Sequence, residues 1–165
     1  MGNNKILDID PITNSNYAVT ITEMGEALPA MEVTGIEDEI VQMKIREGGS
    51  KFEENVTTQN VIFTDIEITF AVREALDKME EWYQKCHPLN KDLGMAGEFE
   101  AGLAKNNRKN ITIKWLDAAD GQKMKAFIED AKPVKRTVAD SKGDDTDTPL
   151  TRKYTFKHRG FRISA

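Results

Sequence analysis

Apolar and polar residues alternate in several runs along this chain, the pattern of strands with one covered face. Tyr17, Val19 and Ile21 alternate with Ala18, Thr20 and Thr22. Met24-Gly25-Glu26 then supplies a turn, and Ala30 to Thr34 reads as a returning strand before Gly35 interrupts it. A hairpin-like opening is expected. From Glu39 to Arg46, Ile40, Val41, Met43 and Ile45 mostly alternate with Gln42, Lys44 and Arg46, and Gly48-Gly49 ends the run. After the polar stretch Ser50 to Asn60, alternation resumes as Ile62, Ile66, Ile68 and Phe70 against Asp65, Glu67 and Thr69. Two long strands should therefore flank a polar connection of about 13 residues, longer than an ordinary hairpin loop.

The period changes at Val72. Val72, Leu76, Met79, Tyr83 and Cys86 recur at spacings of three and four, which predicts a helix that Pro88 stops, with Trp82 beside its apolar stripe. Leu89 to Asn110 reads as loop with one short helix around Glu98 to Ala104. Ile111, Ile113 and Trp115 then alternate with Thr112 and Lys114, Asp120-Gly121 turns the chain, and Lys123 to Ile128 returns as a hairpin. Val134 to Val138 is a further strand, and Asp140 to Pro149 an exposed loop. Tyr154, Phe156 and His158 hold one parity, while Phe161 and Ile163 after Gly160 hold the other, as in a closing strand with a bulge. Many strands, one helix and no βαβ alternation predict a mainly β fold, a β-barrel or sandwich with one packed α-helix.

The chain has 165 residues, 39% hydrophobic and 31% charged, enough for one domain with a real core and too apolar for general disorder. A single domain over residues 1–165 is expected. No charged leader followed by an apolar run opens the sequence, and no run of about 18 apolar residues occurs, so a soluble protein without a membrane anchor is expected. Met1-Gly2-Asn3-Asn4 resembles the start of a myristoylation signal, but Ile6 stands where Ser or Thr is needed. One cysteine, Cys86, allows no intrachain disulfide. The net charge of -5 argues against a general nucleic-acid binder, and Lys105 to Lys109 and Lys132 to Arg136 read as solvated loops or strand ends.

Candidate chemistry is sparse. Cys86 and His87 are adjacent at a helix end and do not converge as ligands or as a nucleophile and base. Asp144, Asp145 and Asp147 lack the central Gly and terminal Glu of a calcium loop. Gly48-Gly49 sits in no phosphate-binding pattern, so backbone bending suffices to explain it. Asp65 and Glu67 share a strand face and could in principle act as acid and base, yet no nucleophile or cofactor fingerprint accompanies them. No enzymatic activity, metal or cofactor is expected.

The order of Glu32-Val33-Thr34-Gly35-Ile36, Arg46-Glu47-Gly48-Gly49 and Ile66-Glu67-Ile68-Thr69-Phe70, leading into a helix with Trp82, resembles the tube family of contractile phage tails and related injection particles. Asn110 to Trp115 with Asp120-Gly121, then Ala131-Lys132-Pro133-Val134-Lys135, then Tyr154 to Phe161 with His158-Arg159-Gly160 continue the likeness. It spans about Tyr17 to Ile163. The stretch from Pro88 to Lys109 is longer than the matching connection in many members.

The resemblance implies a structural subunit of an inner tail tube: six-fold rings stacked helically inside a contractile sheath, about 80 to 100 Å wide if six domains of about 30 Å surround a pore. It implies sheath, baseplate and tail-terminator partners, and DNA passing through the lumen without specific binding. The place implied is the virion tail, assembled in the bacterial cytoplasm. In the family, the loop between the two long strands reaches an adjacent ring, so Glu47, Gly48, Gly49, Lys51, Phe52, Glu53, Glu54 and Asn55 are candidates for that contact. Strand parity makes Gln42, Lys44, Asp65, Glu67 and Thr69 candidates for the lumen, where a mixed or mildly acidic lining would let DNA slide. A secretion-system ring or effector carrier related to the hemolysin-coregulated protein, and a baseplate-proximal tube initiator, stay open as alternatives.

Overall fold

Along the chain the elements are β1 (Tyr17–Ile21), β2 (Ala30–Thr34), β3 (Asp38–Ile45), β4 (Glu54–Phe63), β5 (Ile66–Ala71), α1 (Asp77–Cys86), β6 (Lys109–Leu116), β7 (Gln122–Val138), β8 (Thr151–Lys157) and β9 (Gly160–Ser164). The structure is a computed structural model that describes residues 16–46, 48, 54–73, 76–87, 107–116, 121–141, 143–144 and 147–164. The main sheet runs β1-β6-β7-β8-β5-β2, with β9 also paired to β7, and β3 pairs only with β4.

The 17-residue strand β7 joins two halves of that sheet. Its first part pairs with β6 and β9, and its last part pairs with β8. Between them Asp130 takes a left-handed φ of 49°, and its N–H donates to Asn110 Oδ1 at 3.1 Å. Ala126 and Ile128 are buried before this point, Ala131 and Pro133 after it, so the covered parity switches there. The switch lets both halves of one strand face the same core while the sheet curls.

Val19, Ile21, Ile111, Ile113, Ala126 and Ile128 from one half meet Ile66, Ile68, Phe70, Tyr154 and Phe156 from the other, with Leu76, Met79 and Trp82 from the helical segment. Burying each large side chain contributes roughly 1.5–3 kcal/mol. A polar clasp holds α1 to β7 and β8: the Glu80 carboxylate accepts from the Tyr154 hydroxyl, Arg136 and Arg152, and Arg136 also lies 4.8 Å from the Tyr83 ring centre. Burial, reinforced by Glu80, raises the Tyr154 pKa and keeps the phenol a donor.

Several sequence expectations need correction. β1 and β2 do not form a hairpin, since β1 pairs with β6, β2 pairs with β5, and one bridge, Val19 to Leu28, links the two segments. Pro29 follows that bridge and lacks a donor, while its carbonyl accepts from Ala71 N–H, which directs the chain to β5. Lys123 to Ile128 and Val134 to Val138 belong to one strand, because a register shift between Pro133 and Lys135 absorbs the proline without ending β7. Trp82 lies in the core rather than beside it, its indole N–H donating to Asn107 O at 2.7 Å. The helix begins at Asp77, leaving Val72 exposed. The closing segment is two strands, β8 and β9, which keep one offset along β7 from Phe156 to Ser164 across a break at His158-Arg159; the register shift lies on β7, between Pro133 and Lys135. The short helix expected around Glu98 to Ala104 lies outside the described residues.

Candidate assembly surfaces

Period two puts Ile66, Ile68 and Phe70 of β5 into the core, so the intervening residues form the opposite face. Register then builds polar rows across four strands. Thr34, Glu67, Thr155 and Lys135 form one row, and Glu32, Thr69, Lys153 and Thr137 the next. Lys153 lies 3.7 Å from Glu67, and Lys157 lies 3.5 Å from Asp65. Glu32, Asp65 and Glu67 share this face with Lys132, Lys135, Lys153 and Lys157, so three carboxylates stand among four lysines and the face is polar with mixed charge.

This four-stranded unit has two lateral edges. Among the described residues, no strand pairs with the far side of β2 or with residues 132–138 of β7 on the side away from β8. Adjacent strands alternate in direction, so an even number of them leaves β2 and β7 running oppositely. A rotated copy placed beside the first would therefore bring antiparallel edges together.

The second surface is an arm. Val33 pairs with Ile68 and Thr34 with Glu67; beyond the interruption, Asp38 pairs with Phe63 and Glu39 with Ile62 in the same offset. β2–β3 and β4–β5 are therefore one long hairpin whose inner half lies on the core and whose outer half extends past β8. Among the described residues, six of the twelve exposed large apolar side chains lie on that outer half: Ile40, Met43, Ile45, Val56, Val61 and Ile62. Distally, Met43 pairs with Val56 on one face, while Gln42 pairs with Thr57 and Lys44 with Asn55 on the other.

A joint ties the arm to the body. Gly35 has φ +86°, and a Cβ there would stand 2.2 Å from Asp65 O, so only glycine allows the two backbones to cross. Thr64 N–H donates to Glu37 O at 3.2 Å. On the other side Phe63 sits 5.8 Å from the His158 ring and 5.6 Å from Phe161, His158 Nε2 is 2.8 Å from Thr64 O, and a Cβ on Gly160 would meet Phe63 Cζ at 3.1 Å. Since a carbonyl can only accept, that nitrogen carries the proton.

The structure divides the sequence-derived candidates. Asp65, Glu67 and Thr69 belong to the polar face of the main sheet, whereas Gln42 and Lys44 lie on the arm, Gln42 Oε1 accepting from Thr57 Oγ1 at 3.1 Å. Glu54 and Asn55 are paired residues of β4, opposite Ile45 and Lys44, and Gly48 is an exposed turn residue. Glu47, Gly49, Lys51, Phe52 and Glu53 lie outside the described residues. The expected polar connection is shorter than predicted, because residues 54–60 are strand. Phe63, His158, Gly160 and Phe161 of the joint were not singled out as site residues, although His158-Arg159-Gly160 stood in a recognised segment.

Chemistry elsewhere is limited. A groove of about 340 Å³ lies between β1 and β2, lined by Tyr17, Met31, Glu32, Val33 and Trp115, with a single carboxylate. Burial, then Glu32, raises the Tyr17 pKa. Cys86 packs partly against the core, and the His87 ring lies 5.8 Å from that of Tyr83, tilted by 60°. Among the described residues, no group of three His, Cys, Asp or Glu is placed to hold a metal ion, and no helix is long and apolar enough to cross a membrane.

Residues 13–162 match the family described as T4-like virus tail tube protein gp19. No curated protein matches the chain. Among solved structures, the anti-feeding prophage cap, described as a tube-terminating cap, is 16% identical with a TM-score of 0.73, covering 98% of this chain and 96% of that one. A chain of the PVC sheath-tube complex of an extracellular contractile injection system, in the extended state, is also 16% identical at TM-score 0.73, covering 100% and 99%. Hcp1 from Flavobacterium johnsoniae is 12% identical at TM-score 0.54, covering 90% and 94%. At these identities the likeness is one of fold.

Proposed function

The chain belongs to the T4-like virus tail tube protein family, and from that premise we propose that it closes into six-membered rings that stack into a hollow conduit inside a contractile sheath. The observation that carries this reading is the four-stranded sheet β2-β5-β8-β7, with a polar face of mixed charge and two edges of opposite direction that no strand among the described residues pairs. Pairing residues 132–138 of β7 with β2 of the next copy would satisfy the backbone groups of both edges and continue one antiparallel sheet around the ring. The polar face then lines the lumen, placing Asp65, Glu67 and Thr69 there with Lys153 and Lys157.

Interspersed charges suit a conduit for DNA or another polyanion, because lysines set among carboxylates hold phosphates by counterion release less than a clustered cationic face would. The arm, with Gln42 and Lys44 on it and residues 47–53 at its end, reaches an adjacent ring. Sheath, baseplate and terminator proteins are its other partners, and the assembled place is the particle tail. This contact is heterologous: it closes within a ring and stays open along the stack.

Negative-stain microscopy of the purified protein, across a concentration series and with its sheath partner, tests the reading. Rings with a central pore, or tubes built from them, are the expected result. A protein that remains monomeric at high concentration and with the sheath partner overturns it.

A further inference from the structure

On the polar face of β2-β5-β8-β7, the charges of the two inner strands are paired within the chain: Glu67 lies beside Lys153 and Asp65 beside Lys157. The edge strands differ. Glu32 lies on β2 at one edge and Lys135 on β7 at the other, both exposed. Among the described residues, no ion pair joins either of them.

We infer that Lys135 of one copy pairs with Glu32 of the next across the ring seam, and that this pair sets the register in which the two edges join. Resting on the reading of the chain as a ring-forming tube subunit, it adds the residues that select the register. Glu32 shares a row with Thr69 and Lys153, and Lys135 shares one with Thr155 and Glu67, so both side chains stand on one face and stay on one side of a sheet continued from copy to copy. Three registers keep polar residues opposite polar residues. If the rows ran straight across the seam, Lys135 would face Thr34, and Glu32 would face Thr137. A shift of one polar row sets Glu32 opposite Lys135 and Thr34 opposite Lys132, because the extra residue between Pro133 and Lys135 makes the two lysines successive on this face. A shift of two rows would run β2 into β6, which already pairs with Ala131 on that side of β7. The one-row shift alone joins opposite charges directly without that collision, and opposite charges across neighbouring strands are favourable where like charges are not. Closing strands into a ring also requires a stagger, which one row at each seam supplies.

The test measures ring formation by the full chain, by sedimentation and negative-stain images, across concentration and salt. Glu32→Lys alone and Lys135→Glu alone each set like charges at every seam, so the concentration for half-assembly should rise about tenfold. Glu32→Lys combined with Lys135→Glu restores the pair in reversed order and should assemble like the parent. Glu32→Lys combined with Lys114→Glu has the same net charge, but its second reversal lies on β6, away from the seam, and it should not recover. Raising the salt should narrow the gap between the parent and the single variants. Single variants that assemble like the parent overturn the pair and leave the ring reading intact, as does a seam double variant that recovers no better than the one changed at Lys114. If the folded parent forms no rings at any concentration, with or without the sheath partner, both readings fall.

Discussion

The inner and outer halves of the hairpin from Ala30 to Ala71 keep one pairing offset across the joint, from Glu32 to Ile40, yet they are built for different surroundings. In the inner half, β5 alternates strictly: Ile66, Ile68 and Phe70 are fully buried while Glu67 and Thr69 are not. In the outer half no described residue is fully buried, and apolar side chains are presented to solvent from both strands. Local pairing is the same in both, so pairing alone does not determine what the hairpin is for. The difference is that β8 covers the flank of β5 and, among the described residues, no strand covers the arm. An exposed concentration of aliphatic side chains on a two-stranded ribbon, itself marginal alone, calls for a surface outside the subunit.

The widest separation between the halves should appear in monomer stability. Phe156→Ala removes a ring packed against Trp82 and Tyr154 and should cost about 3–5 kcal/mol, whereas Val61→Ala on the arm should cost under about 0.5 kcal/mol. Denaturant unfolding of dilute protein measures both. Equal losses would mean that the arm folds against the body more closely than its exposure indicates.

A smaller effect is expected at the boundary. Gly35→Ala forces a side chain into a left-handed φ with its Cβ against Asp65 O, and should cost about 1–3 kcal/mol. Because the strain falls between the halves, hydrogen exchange should rise in Asp38 to Phe63 more than in Ile66 to Ala71. Uniform acceleration would show that Gly35 supports the whole hairpin rather than the angle between its parts.

How much of this was legible beforehand follows from the same contrast. Where a core covers one face, the alternation of Ile66, Ile68 and Phe70 or of Ile111 and Ile113 identifies a strand directly, and the mainly β fold with one helix was readable from such runs. Residues 54–60 lie on a ribbon with no core beneath it, so polar Thr57, Gln59 and Asn60 can occupy a strand and the period vanishes. Strand partners were harder still. β1 and β2 are close in sequence and look like a hairpin, but long-range pairing with β6 and β5 decides their places. Trp82 was misplaced because a carbonyl at Asn107, 25 residues away, satisfies its indole N–H inside the core. Asp65 and Glu67 were legible as one face, whereas their lysine partners on β8 needed the register.

The least effect on stability should come with the greatest effect on assembly. Met43→Asp combined with Ile45→Asp places two charges on side chains that are 51% and 40% exposed in the single subunit, so each finds water and unfolding should shift by under about 0.5 kcal/mol per site. In an assembled stack the same carboxylates would be buried against apolar groups without a partner, a cost of several kcal/mol for each contact. A contact repeated around every ring multiplies that penalty, so tubes should give way to free rings or single subunits while circular dichroism and the melting curve stay unchanged. Rings that persist while stacks vanish assign the arm to stacking alone. Loss of rings as well would give the arm a share in closing them. Tubes that form as before would mean that the exposed apolar residues of the arm make no contact in the assembly, and the two halves of the hairpin would then differ in burial without differing in function.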